Sequence, residues 1–257
     1  MMNQFLQARS TPLVIAHRGS SAHAPENTLA VFILAADQNA DAIELDAKVT
    51  QDGHVVVMHD PTVDRTTDGH GPVSDLTLAE IRQLDAGSNF DPRLKGERVP
   101  LLEEVFEAVG QRVLINVELT NYTTWDDGLE LKAIDLIKQH QLEERVILSS
   151  FNPFGLRKVK RSQPGLACGL LYSADQPLYL RHGWLAFLIP HLEAHHPHYT
   201  QVTTAFVRRR HARGQKVNTW TVKDAAAIRA AAIAGVDGLI GDDPILIRET
   251  LGQSGNW

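Results

Sequence analysis

What most constrains this chain is an alternation along its whole length: eight short strand-like apolar runs, interleaved with seven stretches whose apolar residues recur at helical spacing. The runs are 13–16, 42–49, 113–117, 146–149, 167–171, a weak one ending near Ala194, 217–221 and 238–240. Helical spacing falls at 28–38, 101–109, 128–139, 153–161, 200–213, 224–234 and 244–251. Strands separated by helices run parallel, because each helix carries the chain back to the starting edge. Eight such units in 257 residues match a (β/α)8 TIM barrel, which typically takes about 250 residues. The alternative is an open doubly wound sheet. Against it, the loop after the first strand carries His17, Arg18 and Gly19 rather than a glycine-rich phosphate loop. The expected fold class is therefore α/β, a TIM barrel forming a single domain over 1–257.

Local signals refine this frame. Thr200 and Asp224 read as N-caps, Pro244 as a first-turn proline, and Gly214 and Gly235 as residues just past a last turn. Asp52-Gly53 reads as a tight turn that folds the second strand back before His59. The segment 61–100 is rich in turn signals, with a short helical stretch at 78–84, and reads as an insertion after the second strand, either over the active-site end or as a plain surface excursion.

Composition excludes several classes. Twenty-five Lys and Arg against 31 Asp and Glu give a net charge of −6, with no basic stripe for a phosphate backbone, so no nucleic-acid partner is expected. The single cysteine, Cys168, forms no intramolecular disulfide and suits a reducing compartment. The first eleven residues are mostly polar, no run suggests a membrane span, and a cytoplasmic location is expected. Oligomeric state is left open.

Barrel active sites lie at the carboxyl ends of the strands, and titratable residues concentrate there. The first strand ends in His17-Arg18, the second carries Glu44 and Asp46, the fold-back ends in His59-Asp60, and the third ends in Glu118. Two residues apart on a strand, Glu44 and Asp46 share a face. With Glu118 they offer hard oxygens suited to one divalent cation, magnesium, calcium or manganese, rather than zinc. The competing reading is an ion-pair network. Two histidines at one mouth can serve an attacking and a leaving group, and Arg18 has the forked donors that suit phosphate. Together they describe a phosphodiester-cleaving site.

The order His17-Arg18-Gly19, Pro25-Glu26-Asn27-Thr28, Glu44-Leu45-Asp46, Asp52-Gly53, His59-Asp60, Glu118, Ser149-Ser150-Phe151, Trp220-Thr221-Val222 and Gly235-Val236-Asp237-Gly238 resembles the glycerophosphodiester phosphodiesterase family. The resemblance implies a (β/α)8 barrel hydrolysing small-molecule glycerophosphodiesters, such as glycerophosphocholine or glycerophosphoethanolamine, to sn-glycerol 3-phosphate and an alcohol. It implies His17 and His59 as the acid/base pair, Glu44, Asp46 and Glu118 as ligands of a divalent cation, Arg18 as the phosphate contact and Trp220 as a pocket wall. Two positions depart from the family pattern: Thr120 stands where a lysine is usual, and Lys223 where an asparagine is usual. Lys223 is a candidate for the compensating charge; a solvent-facing lysine at the cap of the next helix is the other reading.

Weaker signals accompany these. His191, His195, His196 and His198 could be offered as a separate metal site, but their spacing around Pro190 and Pro197 suits a loop at the sixth strand end, with one histidine bordering the pocket and the others solvated. Arg208-Arg209-Arg210 falls on a helix and spreads around it. Ser20-Ser21 lacks the elbow of a serine hydrolase. The rival functions are a phosphodiesterase for lysophospholipid-type substrates, which calls for an apolar groove not evident in the sequence, and a non-catalytic phosphodiester-binding protein.

Overall fold

The computed structural model describes residues 2–122, 126–178 and 180–252. Nine strands form one sheet: β1 (Leu13–Ala16), β2 (Ala42–Val49), β3 (Val55–Val57), β4 (Leu114–Leu119), β5 (Val146–Ser150), β6 (Ala167–Tyr172), β7 (Ala194–Pro197), β8 (Lys216–Thr219) and β9 (Gly238–Gly241). Pairing runs β1-β9-β8-β7-β6-β5-β4-β2 and returns from β2 to β1, so eight parallel strands close a ring, as expected. The ninth, β3, is antiparallel to β2 outside the ring, with Ala47 opposite Val57. It turns the chain back so that His59 arrives beside the end of β2.

The helices are α1 (Leu29–Asp37), α2 (Leu78–Ile81), α3 (Leu102–Val109), α4 (Leu129–Gln139), α5 (Pro153–Ser162), α6 (Thr204–His211), α7 (Ala225–Ala234) and α8 (Pro244–Thr250). Their starts follow capping chemistry. Asp224 accepts from the amides of Ala226 and Ala227, and Asp243 accepts from Leu246 with Pro244 in the first turn. Thr200 is not a cap: it lies in a 3-10 turn, Tyr199–Gln201, and Thr203 caps α6 instead by accepting from Phe206. Arg208 and Arg209 are exposed, while Arg210 turns back over the Phe206 ring at 5.1 Å.

A second correction concerns β7. The expected strand ends near Ala194; the observed one begins there and carries His195 and His196 into the barrel wall, both fully buried. The sequence hides it because two histidines and a proline make up three of its four letters.

Apolar packing fixes the frame at three levels. Between ring and helices lie Val31, Phe32, Leu45, Ile115, Leu148 and their neighbours. Inside the ring, Leu13, Ile15, Leu114, Ile147 and Ile240 fill the amino end, closed by Phe5 from a 3-10 turn at Gln4–Leu6. At roughly 25 cal/mol per Å2 of buried apolar surface, such a plug contributes a few kcal/mol. The segment between β3 and α3 has a core of its own, with Val63, Val73, Ile81 and Val99 packed on Val56 of β3.

Candidate active site

The ring's alternation of inward and outward residues decides what reaches its carboxyl end. On β2, Glu44 and Asp46 point inward, Leu45 packs outward, and Asp46 stands in register with Glu118 of β4. One oxygen from each of Glu44, Asp46 and Glu118 lies within 4.8 Å of the others. Among the described residues this is the grouping that could hold a metal ion, and the histidines around Pro197 form no such cluster. Burial and the nearby Asp46 push Glu118 up to about 8; burial with Asp46 and Glu118 pushes Glu44 well above the ordinary carboxylate range. Three hard oxygens that resist ionising together are a donor set that a divalent cation satisfies.

The turn after β1 feeds this cluster. Arg18 and Asn27 both adopt the left-handed conformation, at φ 53° and 60°, uncommon for residues with side chains and costly unless the surroundings enforce it. There the Arg18 amide donates to Glu44 Oε2 at 2.9 Å, its Nη1 donates to Glu26 at 2.9 Å, and its Nε lies 3.4 Å from Asp46. Asn27 Nδ2 donates to Asp46 at 2.9 Å. Gly19, at φ 82°, is required by space as well as conformation, because a Cβ there would lie 2.5 Å from Val31.

Both histidines are held the same way. His17 Nδ1 lies 2.6 Å from Asp242, just past β9, and His59 Nδ1 lies 2.6 Å from Asp60. Each carboxylate fixes one ring nitrogen and leaves Nε2 for the cavity; Nε2 of His17 is 4.0 Å from Glu44. Arg65, from the segment after β3, clasps Asp60 at 2.6 Å and Glu26 at 2.7 Å. Its hydrogen bonds pull Asp60 down to about 2. Arg18, Glu26, Arg65, Asp60 and His59 thus form one chain of charged contacts.

These groups face a cavity of about 630 Å3. His17, Arg18, Glu44, His59 and Glu118 line one side; Phe151, Phe154, Leu171, Leu180, Leu185 and Trp220 line the other. Tyr122 sits at the junction, its hydroxyl donating to Glu118. Below the aromatic side, Asn218 Nδ2 donates to His196 Nε2 at 3.1 Å. Burial pulls His195 and His196 down to about 3, so both are neutral. Space for the His196 ring comes from Gly169, where a Cβ would lie 2.5 Å from it.

Residues 17–246 match the glycerophosphoryl diester phosphodiesterase family. The chain belongs to that family. It is 46% identical over 233 residues to a glycerophosphodiester phosphodiesterase of Caldanaerobacter subterraneus, covering 90% of this chain and 94% of that protein. A Bacillus subtilis glycerophosphodiester phosphodiesterase is 34% identical, covering 92% and 85% respectively. Among solved structures, an Oleispira antarctica phosphodiesterase in complex with the product sn-glycerol-3-phosphate superposes with a TM-score of 0.85 at 33% identity, covering 94% of this chain and 97% of that one.

His17, Arg18, Glu44, His59, Glu118 and Trp220 line one cavity, and Asp46 stands with Glu44 and Glu118 in the carboxylate cluster. Trp220 stands on the aromatic side, its Nε1 donating to the His196 carbonyl. Sequence reasoning missed Asp242, Arg65 and Tyr122. Asp242 lies two residues past a predicted strand, which is a usable signal; Arg65 and Tyr122 lie in irregular segments and carry none. At the two departures from the family pattern, Lys223 is exposed, whereas Thr120 is buried and accepts from the Lys48 ammonium at 2.9 Å. Lys48 lies on the same face of β2 as Glu44 and Asp46, so a cation does reach Thr120 from the neighbouring strand.

Proposed function

We propose that this glycerophosphodiester phosphodiesterase hydrolyses substrates such as glycerophosphocholine and glycerophosphoethanolamine to sn-glycerol 3-phosphate and the free alcohol. The observation that carries the reading is the pair of histidines, each tied at Nδ1 to a carboxylate, turned toward one cavity beside three converging acids. The product bound to the Oleispira relative supports the same chemistry.

Glu44, Asp46 and Glu118 would hold one divalent cation, magnesium, calcium or manganese, which when bound supplies positive charge against a phosphate gaining negative charge. Arg18 adds a fixed positive charge, kept in place by Glu26 and Asp46. One histidine accepts at Nε2 the proton of the attacking hydroxyl; the other donates from Nε2 to the departing alkoxide. Such proton transfers typically contribute about 10² to 10⁴-fold. Asp242 and Asp60 keep each ring in the tautomer and orientation this exchange needs. Trp220 gives the substrate a wall on the far side. No helix among the described residues is long and apolar enough to cross a membrane, and Cys168, buried as a free thiol, supports the expected cytoplasmic location.

The test is release of sn-glycerol 3-phosphate from glycerophosphocholine by purified protein, with EDTA and with each metal restored, and with His17→Ala alongside. Metal-restored release that disappears in the variant is expected; no release from any glycerophosphodiester with any metal would overturn the reading.

A further inference from the structure

Two groups of the reaction site come from separate stretches of chain: Arg18 stands on the turn after β1, and His59 arrives on the fold-back after β3. Between their holders lies one guanidinium. Arg65 Nε and Nη2 donate to the two oxygens of Asp60 at 2.6 and 3.2 Å, while its Nη1 and Nη2 donate to the two oxygens of Glu26 at 2.9 and 2.7 Å. Each carboxylate passes the hold on. Asp60 lies 2.6 Å from His59 Nδ1, and Glu26 accepts from Arg18 Nη1 at 2.9 Å. All three nitrogens of Arg65 are engaged, in two planar forks at once, a geometry that a lysine ammonium does not reproduce.

Stability does not account for this arrangement, because the Arg65 side chain is 47% exposed and ion pairs in that setting contribute little. Its seat is nevertheless stiff. Val63 is fully buried in the separate core of the segment between β3 and α3, and its carbonyl accepts from both the amide of Thr67 at 3.1 Å and its hydroxyl at 2.7 Å, closing a turn around Arg65. None of residues 61–100 lines the reaction cavity; Arg65 grips the groups that hold two residues which do.

We infer that Arg65 is a positioning residue for the reaction: by clasping Asp60 and Glu26 together it fixes the tautomer and orientation of His59 relative to Arg18, and through it the segment 61–100 serves the site. The inference rests on the proposed function, which gives His59 and Arg18 their roles.

The experiment reads His59 directly. Long-range ¹H–¹⁵N spectra of the histidine rings are recorded in EDTA, at a pH high enough to deprotonate them, for wild type, Arg65→Gln and Arg65→Lys, with His17→Ala and His59→Gln spectra for assignment. Wild-type His59 should carry its proton on Nδ1. In both Arg65 variants the Nε2–H tautomer of His59 should appear, while His17, held by Asp242, keeps its own. Release of sn-glycerol 3-phosphate from glycerophosphocholine, in the divalent cation that best supports it, should lose about 10- to 100-fold in kcat, with KM changed by less than about threefold. Arg65→Lys keeps the charge without the forks and carries the test should Arg65→Gln fail to fold. A His59 tautomer or a kcat that stays at the wild-type value in either variant would overturn the inference. So would a change at His17 as large as that at His59, which marks a general disturbance of the barrel. A wild type silent on glycerophosphocholine with every cation, whatever its His59 spectrum, would instead overturn the proposed function and with it the role of Arg65.

Discussion

Two arcs of the same barrel mouth handle burial in opposite ways. On the arc built by β1, β2, β4 and the fold-back after β3, the groups from Arg18 to His59 are taken out of water in company with opposite charges, while Glu44 and Glu118, crowded by like charge, resist ionising until a cation joins them. On the arc built by β5 to β8, titratable groups are buried without charged partners and become neutral, as His195 and His196 do. The contrast teaches that depth alone does not decide ionisation in this barrel. Partners do.

The comparison breaks if the two arcs respond alike to substitution. Asp46→Asn takes one of the three carboxylates and disturbs the seats of Asn27 and Arg18; kcat/KM should fall by about 10³-fold or more. Asp242→Asn leaves His17 in place with the wrong hydrogen-bond partner, and a fall in kcat of about 10- to 100-fold is expected in the same assay. On the neutral arc, Trp220→Ala should raise KM roughly tenfold with a smaller change in kcat. A Trp220 variant that loses kcat as heavily as Asp46→Asn would abolish the distinction.

The smallest effect is the most diagnostic, because the arcs differ in sign. His195 and His196 have folded values near 3, below an unfolded 6.5. Their contribution to stability is therefore complete above 6.5 and is lost as pH falls below it. Glu118, raised to about 8 from 4.5, does the reverse: it stabilises at low pH and loses that contribution as pH rises through 8. In EDTA the two oppose each other between pH 7 and 6. With a saturating divalent cation holding the acids ionised, only the histidine sign remains, and thermal melts should show a loss of about 1 kcal/mol over that unit, or about 2 to 4 °C. A Tm that rises on acidification in saturating magnesium would contradict the assignment.

The charged arc was legible because its chemistry is local in sequence: Glu44 and Asp46 are two apart on one strand, and His17-Arg18 and His59-Asp60 are adjacent pairs at strand ends. The ring was legible because the apolar runs are bounded by helical stretches. The neutral arc was not. His195 and His196 carry no apolar pattern because β7 faces Asn218 and Tyr172 rather than a purely aliphatic core. Beyond Trp220, the apolar wall was hidden from a reader of the sequence, because Tyr122, Phe154 and Leu185 come from segments after three other strands and are drawn together only by ring closure. Phe5 was missed because three residues of 3-10 turn hold no period.

The 2.6 Å contact of His17 with Asp242 spans 225 residues of chain. During synthesis at about 5 to 20 residues per second, the first histidine leaves the ribosome roughly 10 to 45 seconds before the aspartate that orients it. Until β9 docks against β1, His17 lacks its carboxylate partner and the ring has an open edge. Competence to cut phosphodiesters is thus a late event in the molecule's life, switched on by the same step that seals its structure, and an unfinished chain is a poor catalyst by design of its topology.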